Sequence, residues 1–337
     1  MLILVFQFQL KAQKTKQDFV ALAVENVQKK NYEAAIIFFT YVIENFEQDF
    51  LAYSDRGMVK KMIRDYEGAI EDFSAQIKFD NSNADSYFMR GIVKDQLEDY
   101  EGAMEDYKST IHFDFGNSDA HFFLGRDKLR LGQITDSQKD FSDAIELNPE
   151  NAPARAYNAW AKIQLNDYIA AEKELDLAIK IDSTEVQFLY FKAFLQAELE
   201  HFDQSFQTIL QAIEINPIFS IQYLESKNAK HKVKKFKPLL TKYNTKILEV
   251  EQTTKELIIH GFANLYLNDS KTAKKYFEKV IQKNKTNHVA LYGLALINYQ
   301  SKQYVDALLS INLALEYLPG EENYLNLKEK IENKQIK

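Results

Sequence analysis

The chain contains no cysteine among its 337 residues. Disulfides, thiolate metal sites and cysteine nucleophiles are therefore excluded. Glycine and proline are scarce, at 10 and 5, which points to helix throughout. No apolar run reaches the roughly 18 to 20 residues needed to span a bilayer as a helix. The phosphate-cradling GxxxxGK motif and the dinucleotide-type GxGxxG are both missing, as is the GxSxG nucleophile elbow. The 6 histidines, His112, His121, His201, His231, His260 and His288, form no HExxH pair and have no cysteine partner. They are expected on the surface or in packing roles. No enzyme activity, cofactor, metal or small-molecule substrate is expected.

What the chain has instead is a period. Residues 50–83 read FLAYSDRGMVKKMIRDYEGAIEDFSAQIKFDNSN. Gly91 follows Gly57, Tyr100 follows Tyr66, Ala103 follows Ala69, Tyr107 follows Phe73 and Ile111 follows Ile77, always at the same interval. A fixed period in this range is the mark of a solenoid. Within the window, Tyr53, Arg56, Gly57 and Lys60 share one helical stripe, and Tyr66, Ala69, Ile70, Phe73, Gln76 and Ile77 share another. A polar break at Arg64-Asp65 separates the stripes, and Asp80-Asn81-Ser82-Asn83 closes the unit with turn chemistry. Each unit is thus expected to be two short antiparallel helices. Gly57 and Ala69 let the helices approach where they cross, and Phe73 fills the gap toward the next hairpin.

This pattern resembles the tetratricopeptide repeat, W-x2-L-G-x2-Y, then A-x3-F, then P. The glycine, alanine and aromatic places match, while Tyr53 stands at the tryptophan place and Asn81 at the proline place. The resemblance implies an all-α, right-handed α-solenoid of about nine helix-turn-helix units. Six repeats are expected over 16–219, a degenerate lysine-rich one over 220–253, two more over 254–321, and a capping helix over 322–337. In that cap Tyr324, Leu325 and Leu327 are expected to pack inward, because a solenoid must cover its last apolar surface. In the degenerate window Lys227 and Leu239 take the small-residue places, with Pro238 beside the second, although Phe236, Tyr243 and Ile247 keep the phase.

The first ten residues, MLILVFQFQL, are apolar. Residues 1–13 resemble the core and end of a secretory signal peptide without its basic start, with cleavage near Ala12. On that reading the chain is exported, to a periplasm or cell envelope. The alternative is an extra helix stacked on the first repeat in a cytoplasmic protein.

Charge is asymmetric. Up to Phe219 there are 22 Lys and Arg against 37 Asp and Glu, and from Ser220 onward 20 against 12. The densest basic stretch carries Lys227, Lys230, Lys232, Lys234, Lys235 and Lys237, and it is either a solvated face or a polyanion contact. Nucleic acid is not an expected partner, since no arginine cluster or interleaved aromatics accompany it. Recurring pairs such as Glu71-Asp72 and Glu105-Asp106 are expected on a solvated helix face.

In tetratricopeptide arrays the first helices line the concave groove. The corresponding stripe carries Phe88 and Ile92, Phe122 and Arg126, Trp160, then Tyr190 and Phe194, with Met58, Phe262 and Tyr292 continuing it. The resemblance therefore implies a non-catalytic scaffold that binds another protein or peptide through an aromatic-lined groove, because aromatics and Arg dominate binding hot spots. The alternative function is polyanion binding through the basic seventh window.

Overall fold

The computed structural model describes residues 15–46, 50–217, 253–266 and 268–335. The apolar first segment and the basic residues Lys227 to Lys237 lie outside these. Seventeen helices and no strand occur among the described residues, which makes the chain an all-α solenoid. They are α1 (Lys16–Gln28), α2 (Tyr32–Asn45), α3 (Phe50–Met62), α4 (Tyr66–Phe79), α5 (Ala84–Gln96), α6 (Tyr100–Phe113), α7 (Ser118–Arg130), α8 (Ile134–Leu147), α9 (Ala152–Gln164), α10 (Tyr168–Ile181), α11 (Val186–Glu198), α12 (Phe202–Ile215), α13 (Thr254–Tyr266), α14 (Ser270–Lys283), α15 (His288–Gln300), α16 (Tyr304–Tyr317) and α17 (Glu322–Gln335). They form two compact units, one ending at Leu165 and the other starting at Asn166.

Each described hairpin turns through the same three places of the period, and the middle one is left-handed. Lys30, Arg64, Glu98, Asn166, Glu200, Asn268 and Lys302 have φ between 58° and 64°, and only Gly132 fills the place with glycine. A left-handed non-glycine residue costs about 1–2 kcal/mol, so the surroundings must hold it. They do so by a Schellman closure: Asp65 N–H donates to the Lys60 carbonyl and Asp99 N–H to that of Lys94, at 2.9 and 3.0 Å. The next element starts on the same residue. Asp65 and Asp99 each accept from the backbone N–H three residues on, at 3.1 and 3.0 Å. One residue therefore ends one helix and caps the next. At Gln133, His201 and Gln303 the side-chain cap bond is lacking.

The crossings are set by glycine and an aromatic ring. A Cβ at Gly57 would stand 3.1 Å from the Phe73 ring of the same hairpin, and one at Gly91 2.8 Å from the Tyr107 ring. The glycine makes room for the ring as well as for the opposing helix. In the second unit Phe277 lies between two such places: a Cβ at Gly261 would be 2.4 Å from it, and one at Gly293, in the following hairpin, 2.5 Å. The ring does fill the gap toward the next hairpin there.

The second unit has one continuous apolar core from Val186 to Ile331, ended by α17. That helix buries Tyr324, Leu327 and Ile331. Tyr324 stacks on Tyr292 at 4.8 Å, and its hydroxyl meets His288 Nδ1 at 2.8 Å. Leu325, expected to face inward, is 47% exposed: it follows Tyr324 by about 100° on the helix and so falls on the outer side.

Candidate functional site

The first helices of the amino-terminal unit, α1, α3, α5, α7 and α9, carry most of the stripe that the sequence singles out. Phe88 and Ile92 on α5 are half-buried. Phe88 sits 6.0 Å from the Tyr107 ring and 5.7 Å from that of Phe123. Trp160 on α9 is half-buried, as is Phe194 on α11 of the other unit. Phe122 is not open surface. It packs among Phe141, Ala154 and Tyr157, and only 8% of it is exposed. Tyr190, Phe262 and Tyr292 are likewise core residues of the second unit. These corrections share one cause: the groove-side stripe also borders the neighbouring hairpin, and a large ring placed there reaches into that contact. Met58 is half-buried against Ala69, Phe73 and Val93.

The face has members that the aromatic count passed over. Leu51 and Met62 on α3 are 69% and 52% exposed, and Val24 on α1 is 43% exposed. Leu51 and Met62 occupy the places of Asp85 and Gln96 one period later. Carrying the period through every place, rather than following aromatics alone, reveals them.

Arg126 is engaged, not free. Its guanidinium donates to Asp95 of α5 and to Asp127, and lies 4.5 Å from the centre of the Phe123 ring. Arg130 donates to the same two carboxylates. Asp127 is wholly buried, and its Oδ2 has no hydrogen-bond partner among the described residues. Loss of hydration, then the neighbouring Asp95 charge, push its carboxyl up to about 7, against the pull of Arg126 and Arg130. The Tyr107 hydroxyl beside this cluster is also buried without a partner among the described residues, and burial raises its pKa. The α5–α6–α7 junction thus gathers two guanidiniums and two carboxylates in one compact cluster, in which Asp127 holds its proton more tightly than an ordinary carboxyl.

A second polar layer runs between the two helices of the α3–α4 and α5–α6 hairpins. Asp72 of α4 is 2% exposed and accepts a bidentate bond from Arg56 of α3, at 2.9 and 2.6 Å, plus one ion pair from Lys60 at 2.9 Å. Asp106, Arg90 and Lys94 repeat this one period later at 2.9, 2.6 and 2.8 Å. Arg56 also reaches Thr40 of the preceding hairpin, and Arg90 reaches Ser74. The expectation that Glu71-Asp72 and Glu105-Asp106 lie on a solvated face is half wrong. The glutamates are exposed, but the aspartates point into the hairpin and hold its cations. These buried carboxylates are structural ties.

Periodic helical hairpins, each crossing at a small residue and stacked on a neighbour's aromatic, define a class of repeat scaffold. Three family models described as tetratricopeptide repeat match residues 84–109, 124–186 and 265–331. These matches identify tetratricopeptide repeats in the chain, a fold that serves in general as a scaffold for protein interaction. No curated protein matches it in sequence. Among solved structures, a tetratricopeptide repeat protein from Parabacteroides merdae is similar at 14% identity and a TM-score of 0.52, covering 84% of this chain and 98% of that one. YrrB, described as a TPR protein with an unusual peptide-binding site, is 21% identical with a TM-score of 0.47, covering 58% of this chain and 97% of its own. MamA from Desulfovibrio magneticus is 14% identical with a TM-score of 0.47, covering 50% and 96%. No helix among the described residues is long and apolar enough to cross a membrane.

Proposed function

We propose that this chain is a non-catalytic scaffold that holds a peptide segment of another protein against the first-helix face of its amino-terminal unit. The observation that carries the reading is the run of accessible apolar side chains there. Leu51 and Met62 are more than half exposed, with Val24 before them and Phe88, Ile92 and Trp160 half-buried beyond. The stacking contacts within each hairpin are already supplied by the buried rings of Phe73, Tyr107 and Phe141, so Leu51 and Met62 are left open, while Phe88 and Ile92 offer the edge that they do not spend on the core. An extended or helical peptide with apolar anchors fits such a face, because anchors buried in apolar surroundings give affinity while the charged rim only orients.

The test is selection of a displayed peptide library on the full chain, beside a Leu51→Asp, Met62→Asp, Trp160→Ala variant. Selected peptides should carry spaced apolar anchors and bind with little salt dependence. They should bind the variant at least about tenfold more weakly, a loss of about 1.4 kcal/mol, with helicity unchanged. Peptides that bind both chains equally well would reject the face, and so would a selection that returns only charged sequences.

A further inference from the structure

The period allows charge to be compared at one fixed place on the outer face of the second helices. On α4 that place and the one a turn later hold Glu67 and Glu71, and on α6 Glu101 and Glu105. Six periods after α4, on α14, the same two places hold Lys271 and Lys275. All six side chains are exposed. Lys274 and Lys279 widen the basic face, with Lys279 also 5.7 Å from the centre of the Tyr276 ring. Glu278 is the single acid of α14.

None of Glu67, Glu71, Glu101, Glu105, Lys271, Lys274 and Lys275 has an ion-pair partner among the described residues. Each ladder therefore sets like charges four residues apart, which disfavours an isolated helix by a few tenths of a kcal/mol per pair. A helix face that is merely solvated mixes its signs, as α10 does with Glu172, Lys173, Asp176 and Lys180. Lys78 sits in the last turn of α4, while Lys108 stands in the middle of α6, three residues after Glu105, and leaves α4 the more purely acidic of the two faces.

We infer that the chain associates head to tail with a second copy of itself, the glutamate ladders of α4 and α6 in one copy docking on the lysine face of α14 in the next. The fit comes from spacing as well as sign. Both ladders stand on helices of 14 residues in the same repeat phase, so both present charges at a one-turn rise of about 6 Å. The formal net charge of −7 sets whole copies against one another, so association must come from local contact between patches of opposite sign. Such an interface is heterologous: each copy uses both patches, so the assembly can pass beyond a dimer, as a ring or as an open chain. Exposed pairs contribute little one by one, so the interface should be weak and steeply salt-dependent.

Sedimentation velocity of the full chain tests this at about 20 mM and about 500 mM salt, where the screening length falls from tens of ångströms to a few. One variant carries Glu67→Lys, Glu71→Lys, Glu101→Lys and Glu105→Lys. The other carries Lys271→Glu, Lys274→Glu, Lys275→Glu and Lys279→Glu. Wild type should form concentration-dependent larger species in low salt and lose them in high salt. Each variant alone should stay monomeric with unchanged helicity, and an equimolar mixture of the two should associate again. A wild-type chain that is monomeric in low salt overturns the proposal, as does a mixture of variants that fails to associate. A monomeric wild type shifted by inorganic polyphosphate, with the Lys→Glu variant unmoved, overturns it in favour of a polyanion on α14.

Discussion

The two units use one set of backbone positions and two kinds of polar tie. In the first, the places facing each other across a hairpin hold Arg56, Lys60 and Asp72, then Arg90, Lys94 and Asp106. In the second, the places of Lys60 and Asp72 hold Gln196 and Thr208, whose hydroxyl donates to the Gln196 amide oxygen at 2.8 Å. Two periods further, the places of Arg56 and Asp72 hold His260 and Tyr276, with ring centres 5.4 Å apart. The hairpin geometry survives an ion pair, a neutral hydrogen bond or a ring contact at the same spot. What changes is the penalty for breaking it, since a lone buried charge costs far more than a lone amide.

That difference can be broken most directly in the first unit. Asp106→Ala strands Arg90 and Lys94 and should cost about 3–5 kcal/mol, seen as faster hydrogen exchange across α5, α6 and α7. Thr208→Ala, at the same place in the second unit, should cost about 1 kcal/mol. Equal losses would mean that the ionic layer is no more binding than the neutral one.

The crossings sharpen the comparison next. Gly91→Leu and Gly261→Ala should each cost about 1–3 kcal/mol by overpacking, followed in thermal melts. The smaller alanine suffices in the second case because Phe277 is enclosed by Gly261 and Gly293 and has nowhere to turn.

Acid should then pull the two units in opposite directions. Asp127 has a raised native pKa, so the native state holds its proton more tightly than the unfolded chain. Its contribution grows as pH falls from about 7 into the ordinary carboxylate range. Burial pushes His260 down to about 4, so the unfolded chain takes up the proton first. Its contribution is lost as pH falls from about 6.5 toward 4, by about 3 kcal/mol. Unit-resolved hydrogen exchange at pH 7 and 5 should show α13 weakening, and should show it no longer in His260→Asn. For the α5–α7 junction, Asp127→Asn should abolish the opposite trend.

The hairpins, their spacing and the crossings at Gly57 and Gly91 were legible because they recur. The ionic layer was also written in the chain, as Arg56 and Asp72 recurring one period later as Arg90 and Asp106. It was hidden because Asp72 stands beside an exposed glutamate, and adjacency suggests one face where a helix turns about 100° per residue. Of the groove stripe, Phe88 and Trp160 stay accessible while Phe122 and Tyr190 do not. No count along a single helix reveals that, since their burial is supplied by neighbouring elements. The cluster of Asp95, Arg126, Asp127 and Arg130 departs from the period and so gave no recurring signal.

The left-handed turn has a practical side. Its middle residue is exposed at every described hairpin and is Lys, Arg, Glu, Gly or Asn in turn, so the site accepts unbranched side chains of either charge. With no native thiol in the chain, a cysteine at Lys30 or Glu98 gives a unique attachment point in each case. Dye pairs placed on such turns would form a graduated scale along one edge of a unit, able to register whether its hairpins spread or close when a partner is added.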